Sequence, residues 1–214
     1  NVAGAGRARP RGMDSSLPRV HVAVASLAPR RIYASTQLYA RVAAAAYAGA
    51  PSSHPDAHLT TRAVYDESDN NSQTIWGAEE LAQRVDAACG RPGSWSSLVW
   101  PSVRAVLSDT FALLVDRAET NSPLSSGGCR ALYGVDVMLA EDSHWRSPRG
   151  EADGRTPQPV LLEVNYSPDL TSVLRLYPRF VDGLFERLFD EVGPSPAPRG
   201  DDERERAHAS WEEL

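Results

Sequence analysis

The feature that most constrains this chain is a short apolar run, residues 159–168, that carries a carboxylate and an amide two positions apart. In an extended strand successive side chains point to opposite faces, so Glu163 and Asn165 share one face. The sequence Tyr-Ser-Pro-Asp at 166–169 is typical of a turn and predicts that the strand ends directly after these two residues. Magnesium prefers such oxygen donors, together with substrate phosphates and water.

A second strand-like run, residues 131–139, is apolar on both sides of a single acid, Asp136. A buried carboxylate without a partner is costly, so Asp136 needs a cation or a network of donors. The alternative is an aspartate that faces solvent at a sheet edge. The polar connection at 140–156 predicts a long hairpin loop, which would bring the two strands together. The sequence therefore predicts one metal site made of Asp136, Glu163 and Asn165.

These two motifs resemble the tubulin tyrosine ligase family. Residues 133–136 and 162–168 are similar to the C-terminal half of its catalytic domain, which has an ATP-grasp fold. The resemblance implies that Asp136, Glu163 and Asn165 bind ATP and Mg²⁺. It also implies ATP-dependent ligation of an amino acid to a protein carboxylate through an acyl phosphate, with tubulin or another acidic protein tail as acceptor. Residues 176–189 resemble the last helix of one branch of the family.

The same resemblance marks further candidate site residues. Arg19 and Arg41 are predicted to face the reacting groups, with an ordinary edge-strand arginine as the alternative for Arg41. His58 opens a His-Leu-Thr stretch similar to one that lines the family's site, which implies contact with the cofactor. The family places a Lys and an Asp-x-Arg motif before its first strand. Here residues 15–19 read Ser-Ser-Leu-Pro-Arg, and only Arg19 is kept.

The loss of that Lys keeps a second hypothesis open, because serine cannot supply its point charge to a phosphate. In this alternative the chain is a catalytically inactive family member that binds nucleotide, tubulin, histone or signalling partners. A third interpretation is an α/β domain in which the Glu-x-Asn strand is a coincidence. All 22 basic residues are arginine, so no lysine elsewhere in this sequence replaces the missing one.

Composition excludes several other classes. A net charge of -6 and a pI near 5.4 argue against a general nucleic-acid binder, which carries a basic face. No run of about eighteen apolar residues exists, so no membrane span is predicted. Cys89 and Cys129 have no spacing motif and are predicted to be reduced, which fits the cytoplasm, with the nucleus as alternative. Local basic groups would have to contact an acidic tail, and the candidates are Arg30, Arg31, Arg146, Arg149 and Arg155.

The pattern of elements predicts an α/β (α+β) fold with a mostly antiparallel sheet flanked by helices, corresponding to the C-terminal half of an ATP-grasp domain. Strands are predicted at 19–27 and 30–42, and helices at 76–89, 98–119 and 170–192. Residues 1–16 are predicted to be a disordered linker without a secretory signal, and residues 17–192 the domain. Residues 193–214 form a charged, Pro-rich tail that is predicted to be disordered. Asn1 in place of Met indicates a fragment of a longer protein.

Overall fold

The structure is a computed structural model that describes residues 16–27, 29–42, 74–121, 130–140, 157–189 and 210–214. Within these residues seven strands form one sheet. The strands are β1 Ser16–Leu27, β2 Arg30–Ser35, β3 Tyr39–Val42, β4 Thr74–Gly77, β5 Ala131–Ala140, β6 Gln158–Tyr166 and β7 Trp211–Glu213. The helices are α1 Ala78–Cys89, a π-helical turn Trp95–Val99, α2 Trp100–Asn121, α3 Thr171–Leu176 and α4 Phe180–Phe189.

The long strand β1 is the centre of the sheet. Along one edge it pairs with β5, from Arg19 opposite Asp136 to Val24 opposite Ala131. Along the other edge its first residues pair with β3 and its last residues with β2. The sheet continues with β6 beyond β5, β4 beyond β3 and β7 beyond β2, and all these pairings are antiparallel. One strand therefore connects every part of the sheet.

The larger core lies between the sheet and helices α1 and α2. Alternate residues of β1 point into it, as the period of two in a strand requires. Helix α1 contributes residues four positions apart, which share one helix face, and it ends at Gly90 in the left-handed conformation (φ 67°). The principal members are Val20, Val22, Val24, Ile32, Leu81, Val85, Val103, Leu107, Phe111, Val135 and Val137.

A smaller core lies on the opposite face of the sheet, under helices α3 and α4. His21 and Ala23 of β1 point to this side, and Ala23 packs there with Tyr39 of β3. Val173 of α3 and Phe180 and Leu184 of α4 cover them. The carboxylates and arginines of the candidate site lie on this same face.

The predicted fold class is confirmed, because the sheet is antiparallel and helices cover both faces. The predicted helix at 76–89 begins two residues later, since Trp76 belongs to β4 and pairs with Ala40. The predicted helix at 170–192 is two helices, because Pro178 has no N–H to donate and disfavours helical backbone at Tyr177.

The boundaries predicted for the linker and the tail remain predictions over most of their length, which lies outside the described residues. Two points differ. Ser16 already belongs to β1. Residues 210–214 were predicted to be disordered, and this is wrong for them, because Trp211 is buried and Trp211–Glu213 pairs with β2. None of the described helices is long and apolar enough to cross a membrane.

Candidate functional site

The candidate site is a row of side chains that crosses four neighbouring strands on the α3/α4 face. Register places Tyr39 opposite Arg19, Arg19 opposite Asp136, and Asp136 opposite Glu163. Side chains directly opposite one another in antiparallel strands are nearest neighbours, with Cβ atoms about 5 Å apart. The sheet thus brings together three of the predicted residues that are far apart in the sequence.

Arg19 and Asp136 form the buried centre of this row. Arg19 is 6% and Asp136 3% exposed. The guanidinium donates from Nε to Oδ1 and from Nη2 to Oδ2, the second bond at 2.6 Å. Burial acts to lower the pKa of Arg19, but the hydrogen bond and charge of Asp136, with Tyr39 and Glu163 adding to them, raise it overall. The guanidinium is therefore a permanent positive charge held in a fixed orientation.

Glu163 and Asn165 lie at the open end of the row. They share one face of β6, as the sequence predicts, and the Asn165 side-chain amide donates to Glu163 Oε1 at 2.7 Å. Arg19 Nη2 lies 3.7 Å from the same oxygen. The Glu163 side chain is 56% exposed, whereas Asp136 is buried. Solvent exposure therefore increases along the row, from the buried Arg19–Asp136 ion pair to the exposed carboxylate of Glu163.

Gly134 provides the space in which Arg19 lies. It sits opposite Asn165 in β6 and His21 in β1. A Cβ atom at this position would lie 2.8 Å from Pro168 Cβ and 3.0 Å from Arg19 Nη1. The chain reaches this contact through Ser167, which has a positive φ of 52°, a conformation that L residues rarely adopt. The turn after β6 and the arginine thus both approach the position that a side chain at 134 would occupy, so only glycine fits there.

Arg41 and Tyr39 extend the polar face on β3. Two positions apart in a strand, their side chains lie on the same side. Arg41 Nη2 donates to the Tyr39 hydroxyl at 3.3 Å, and its guanidinium carbon lies 5.7 Å from the ring centroid. Arg41 is half-buried. The structure therefore places both predicted arginines, Arg19 and Arg41, on one face, next to the same tyrosine.

The donor chemistry of this row fits a magnesium ion. Glu163 offers a solvent-facing carboxylate, and Asn165 offers an amide oxygen beside it. Asp136 already accepts two hydrogen bonds from Arg19, but each oxygen of an ionised carboxylate has two lone pairs, so it retains capacity to bind a cation. Among the described residues no group of three or more His, Cys, Asp and Glu side chains is arranged to hold a metal. The site would thus depend on ligand phosphates and water.

An exposed apolar surface, which was not predicted from the sequence, adjoins the carboxylates. Met138 lies two positions after Asp136 in β5, on the same face, and pairs with Val160 of β6. Both side chains are exposed, as is Leu162 in the bulge between the two pairs. The period of two along β5 is the signal that could have found it, because it places the apolar Met138 next to Asp136.

The remaining predicted residues are either outside the described part of the chain or on another part of the sheet. His58, Arg146, Arg149 and Arg155 are outside the part of the chain that the structure describes. Arg30 begins β2 opposite Leu27, about 26 Å along β1 from Arg19 at the usual rise of a strand. It donates to the carbonyl oxygen of Leu214 at 3.4 Å. The Arg30-Arg31 pair is therefore not part of this site.

Comparison with known proteins agrees with this fold. The model of the tubulin-tyrosine ligase family matches residues 19–202. This range includes Arg19, Asp136, Glu163 and Asn165, and it covers most of the chain. The chain belongs to the tubulin-tyrosine ligase family.

Within that family, the chain is similar to tubulin-tyrosine ligase-like protein 12 from several animals. It is 36% identical to the human protein over 100 residues, 44% of this chain and 14% of the human protein. It is 36% identical to the mouse protein over 95 residues, 42% of the chain and 14% of the relative. It is 32% identical to the protein from Caenorhabditis briggsae over 108 residues, 48% and 15% respectively. The matched part is about one seventh of the length of these relatives.

Proposed function

We propose that the α3/α4 face around Arg19, Asp136 and Glu163 binds ATP together with magnesium. The observation that carries this proposal is the cross-strand arrangement of Asp136, Glu163 and Asn165 beside the exposed apolar pair Met138 and Val160. A nucleotide has the matching chemistry, with a flat apolar base next to charged phosphates. Family membership supports ATP as the nucleotide.

In this proposal Asp136, Glu163 and Asn165 hold the ion. Bound magnesium would neutralise the phosphate oxygens and orient them. Arg19 and Arg41 would add positive charge on the neighbouring strands, where an anionic phosphoryl group or acyl phosphate could be stabilised. Arg19 suits this role because Asp136 fixes its orientation and burial limits competition from water.

We further propose that the whole protein uses this site for the reaction implied by the family name. A protein carboxylate would attack the terminal phosphorus of ATP and release ADP, and an amine would then attack the acyl carbon and release phosphate. Tubulin or another acidic protein tail is the proposed acceptor, and the cytoplasm the proposed compartment. His58 is a further proposed contact to the nucleotide.

A second candidate is a family member that binds nucleotide without catalysis. It is favoured by Leu17, which stands where the family has the Asp of its Asp-x-Arg motif. Leu17 lies in β1 directly opposite Arg41, so the sequence supplies no carboxylate at that position. Ser15 likewise replaces the Lys. Binding and catalysis therefore need separate measurements.

Calorimetry with Mg²⁺ and ATP on the intact protein tests the binding site. Glu163→Gln removes one ligand charge with little change of shape, and we expect at least tenfold weaker binding. Asn165→Asp keeps an oxygen donor and adds charge, so magnesium-dependent binding should be retained. Glu80→Gln on the exposed side of α1 is the matched control and should bind like wild type. Thermal melts of each variant show that it is folded.

The absence of magnesium-dependent binding by the folded wild type would overturn the proposal. If binding is found, transfer of a labelled amino acid to tubulin separates the two candidates. If the wild type transfers the amino acid and Arg19→Lys does not, the ligase is favoured. Lysine cannot reproduce the two hydrogen bonds that Arg19 donates to Asp136. Binding without transfer to any tested acceptor favours the inactive member.

A further inference from the structure

The strand β7 occupies the outer edge of β2 in the manner of a bound peptide. Ser35 pairs with Trp211, and Tyr33 pairs with Glu213. The backbone contact continues on both sides. Thr36 N–H donates to the Ser210 carbonyl at 2.8 Å, and Leu214 N–H donates to the Ile32 carbonyl at 2.9 Å. Such main-chain pairing at a sheet edge supplies affinity that is independent of sequence.

The side chain of Trp211 enters the smaller core. It is 3% exposed, and its ring lies 5.3 Å from that of Phe180 in α4. Arg187, also in α4, donates to the Trp211 carbonyl oxygen at 3.2 Å. The guanidinium of Arg187 lies over the ring of Tyr33, 4.9 Å from its centroid. The edge of β2 and helix α4 thus form a pocket that holds one large aromatic side chain.

The opposite side of β7 is recognised by helix α2. Trp100 Nε1 donates to the Glu212 carboxylate at 3.1 Å, and Arg104 Nε lies 3.2 Å from the same oxygen. Arg104 also donates to the Glu213 carbonyl oxygen at 2.6 Å. Leu214 packs against the larger core. A glutamate at the second position of the segment is therefore recognised by the positive charge of Arg104 and by the hydrogen bond from Trp100.

Glu213 differs from its neighbours. Alternation along β7 places its side chain on the same side as Trp211, but it is exposed, and the contact from Arg104 goes to its backbone. The recognition pattern is therefore an aromatic residue, a glutamate, an unrestricted residue and an aliphatic residue. Three side chains in a segment of four carry it.

We propose that the outer edge of β2, with Trp100 and Arg104 on one side and Phe180 and Arg187 on the other, is a peptide-recognition site. Residues 210–214 are its resident ligand. The site takes short acidic segments in an extended conformation, in the pattern aromatic-Glu-x-aliphatic. It is formed by residues of β2, α2 and α4 and uses none of the residues of the Arg19–Asp136–Glu163 row, so this proposal does not rest on nucleotide binding.

The test uses the intact chain with a protease site inserted within residues 190–209. After cleavage, a fluorescent peptide with the sequence of residues 210–214 is added in excess and its anisotropy is measured. We expect the labelled peptide to replace the released segment and bind saturably. A peptide with Trp211→Ala should bind at least tenfold more weakly, and one with Glu212→Gln several-fold more weakly. The peptide with Glu213→Gln is the matched control and should bind like wild type.

Three outcomes would overturn the proposal. The first is a cleaved protein that folds but fails to bind the labelled peptide. The second is equal binding of all peptide variants, which would show pairing without side-chain recognition. The third is a circular dichroism spectrum showing that the protein unfolds when the connection is cut, which would make β7 an integral strand of the fold.

Discussion

His21 is fully buried beside the Arg19–Asp136 pair, and neither of its ring nitrogens has a hydrogen-bond partner among the residues that the structure describes. Its ring lies 4.9 Å from Phe180 and 6.1 Å from Tyr39. Burial, with Arg19 and Arg41 as positive neighbours, lowers the pKa of His21 to about 3, although Asp136 acts in the opposite direction. The imidazole is therefore neutral in the folded protein and packs as an aromatic side chain.

This residue predicts an acid-dependent loss of stability. The pKa of His21 is near 6.5 when unfolded and about 3 when folded, so below pH 6.5 the unfolded state binds a proton that the folded state does not. Stability contributed by neutral His21 is complete above pH 6.5 and falls as the pH drops toward 3. Below pH 6.5 the free energy of unfolding falls by about 1.4 kcal/mol per pH unit. Between pH 7 and pH 5 the loss is about 2 kcal/mol, because His21 titrates only below about pH 6.5 in the unfolded state.

Urea denaturation of wild type and His21→Leu at pH 7 and pH 5 measures this contribution. The variant removes the titrating group at similar volume, so its free energy of unfolding should depend less on pH by about 2 kcal/mol. Any fixed packing cost of leucine cancels in the comparison of the two pH values. An equal pH dependence in the two proteins would show that His21 does not titrate on unfolding.

Sequence reasoning at the residue scale found the donors but not their partners. Glu163 and Asn165 lie on one face because the period of two in a strand is a local rule. Asp136 was predicted to need a cation or hydrogen-bond donors. Its partner is Arg19 because β1 pairs with β5, and these two strands are more than a hundred residues apart in the sequence. No local pattern contains that pairing, because several strand orders satisfy the same alternation.

At the scale of elements, Tyr177 joins α1 to the strands. Its hydroxyl accepts from the N–H of Ala78, the first residue of α1, at 2.7 Å and donates to the Leu38 carbonyl at 3.1 Å. Gly77 precedes the helix and has no side chain to cap it. Burial raises the pKa of Tyr177, so the phenol keeps the proton that it donates. One hydroxyl therefore caps a helix and anchors the segment before β3.

Tyr177→Phe should lower the free energy of unfolding by about 1–3 kcal/mol, because it leaves a partly buried N–H and a carbonyl without this partner. Tyr166→Phe is a matched control, since that tyrosine is exposed on β6, and its effect should stay within about 0.5 kcal/mol. Both are measured by chemical denaturation at one pH. Equal effects of the two substitutions would contradict a capping role for Tyr177.

Elements were predicted correctly where local chemistry decided them. The helices that begin at residues 78 and 100 were predicted from apolar residues at helical spacing, and Gly90 ends the first of them as predicted. The prediction was wrong at 210–214, where a Pro-rich, charged composition precedes a strand. That strand exists because β2 offers an unpaired edge and α4 offers a place for Trp211. The edge of β2 lies at the other end of the sequence, so no local pattern near Trp211 indicates it.

At the scale of the whole molecule, β1 belongs to both cores. Val20, Val22 and Val24 face α1 and α2, while Ala23 faces α3 and α4. The strand pairs with β2, β3 and β5, so neither helical layer can separate without exposing an apolar face of the same sheet. We therefore expect the two layers to unfold as one cooperative unit.

Two matched substitutions test this cooperativity. Phe180 and Phe111 are fully buried on opposite faces, and each change to alanine should cost about 3–5 kcal/mol through lost burial and a cavity. Native-state hydrogen exchange then measures the opening free energy of amides in α2 and in α4 for both variants. In a cooperative molecule each substitution lowers the opening free energy by a similar amount in both helices. If Phe180→Ala destabilised α4 and left α2 unchanged, the layers would be separate units. The proposed nucleotide site, which lies over β1, β5 and β6, would then have to keep its shape without support from the α3/α4 layer.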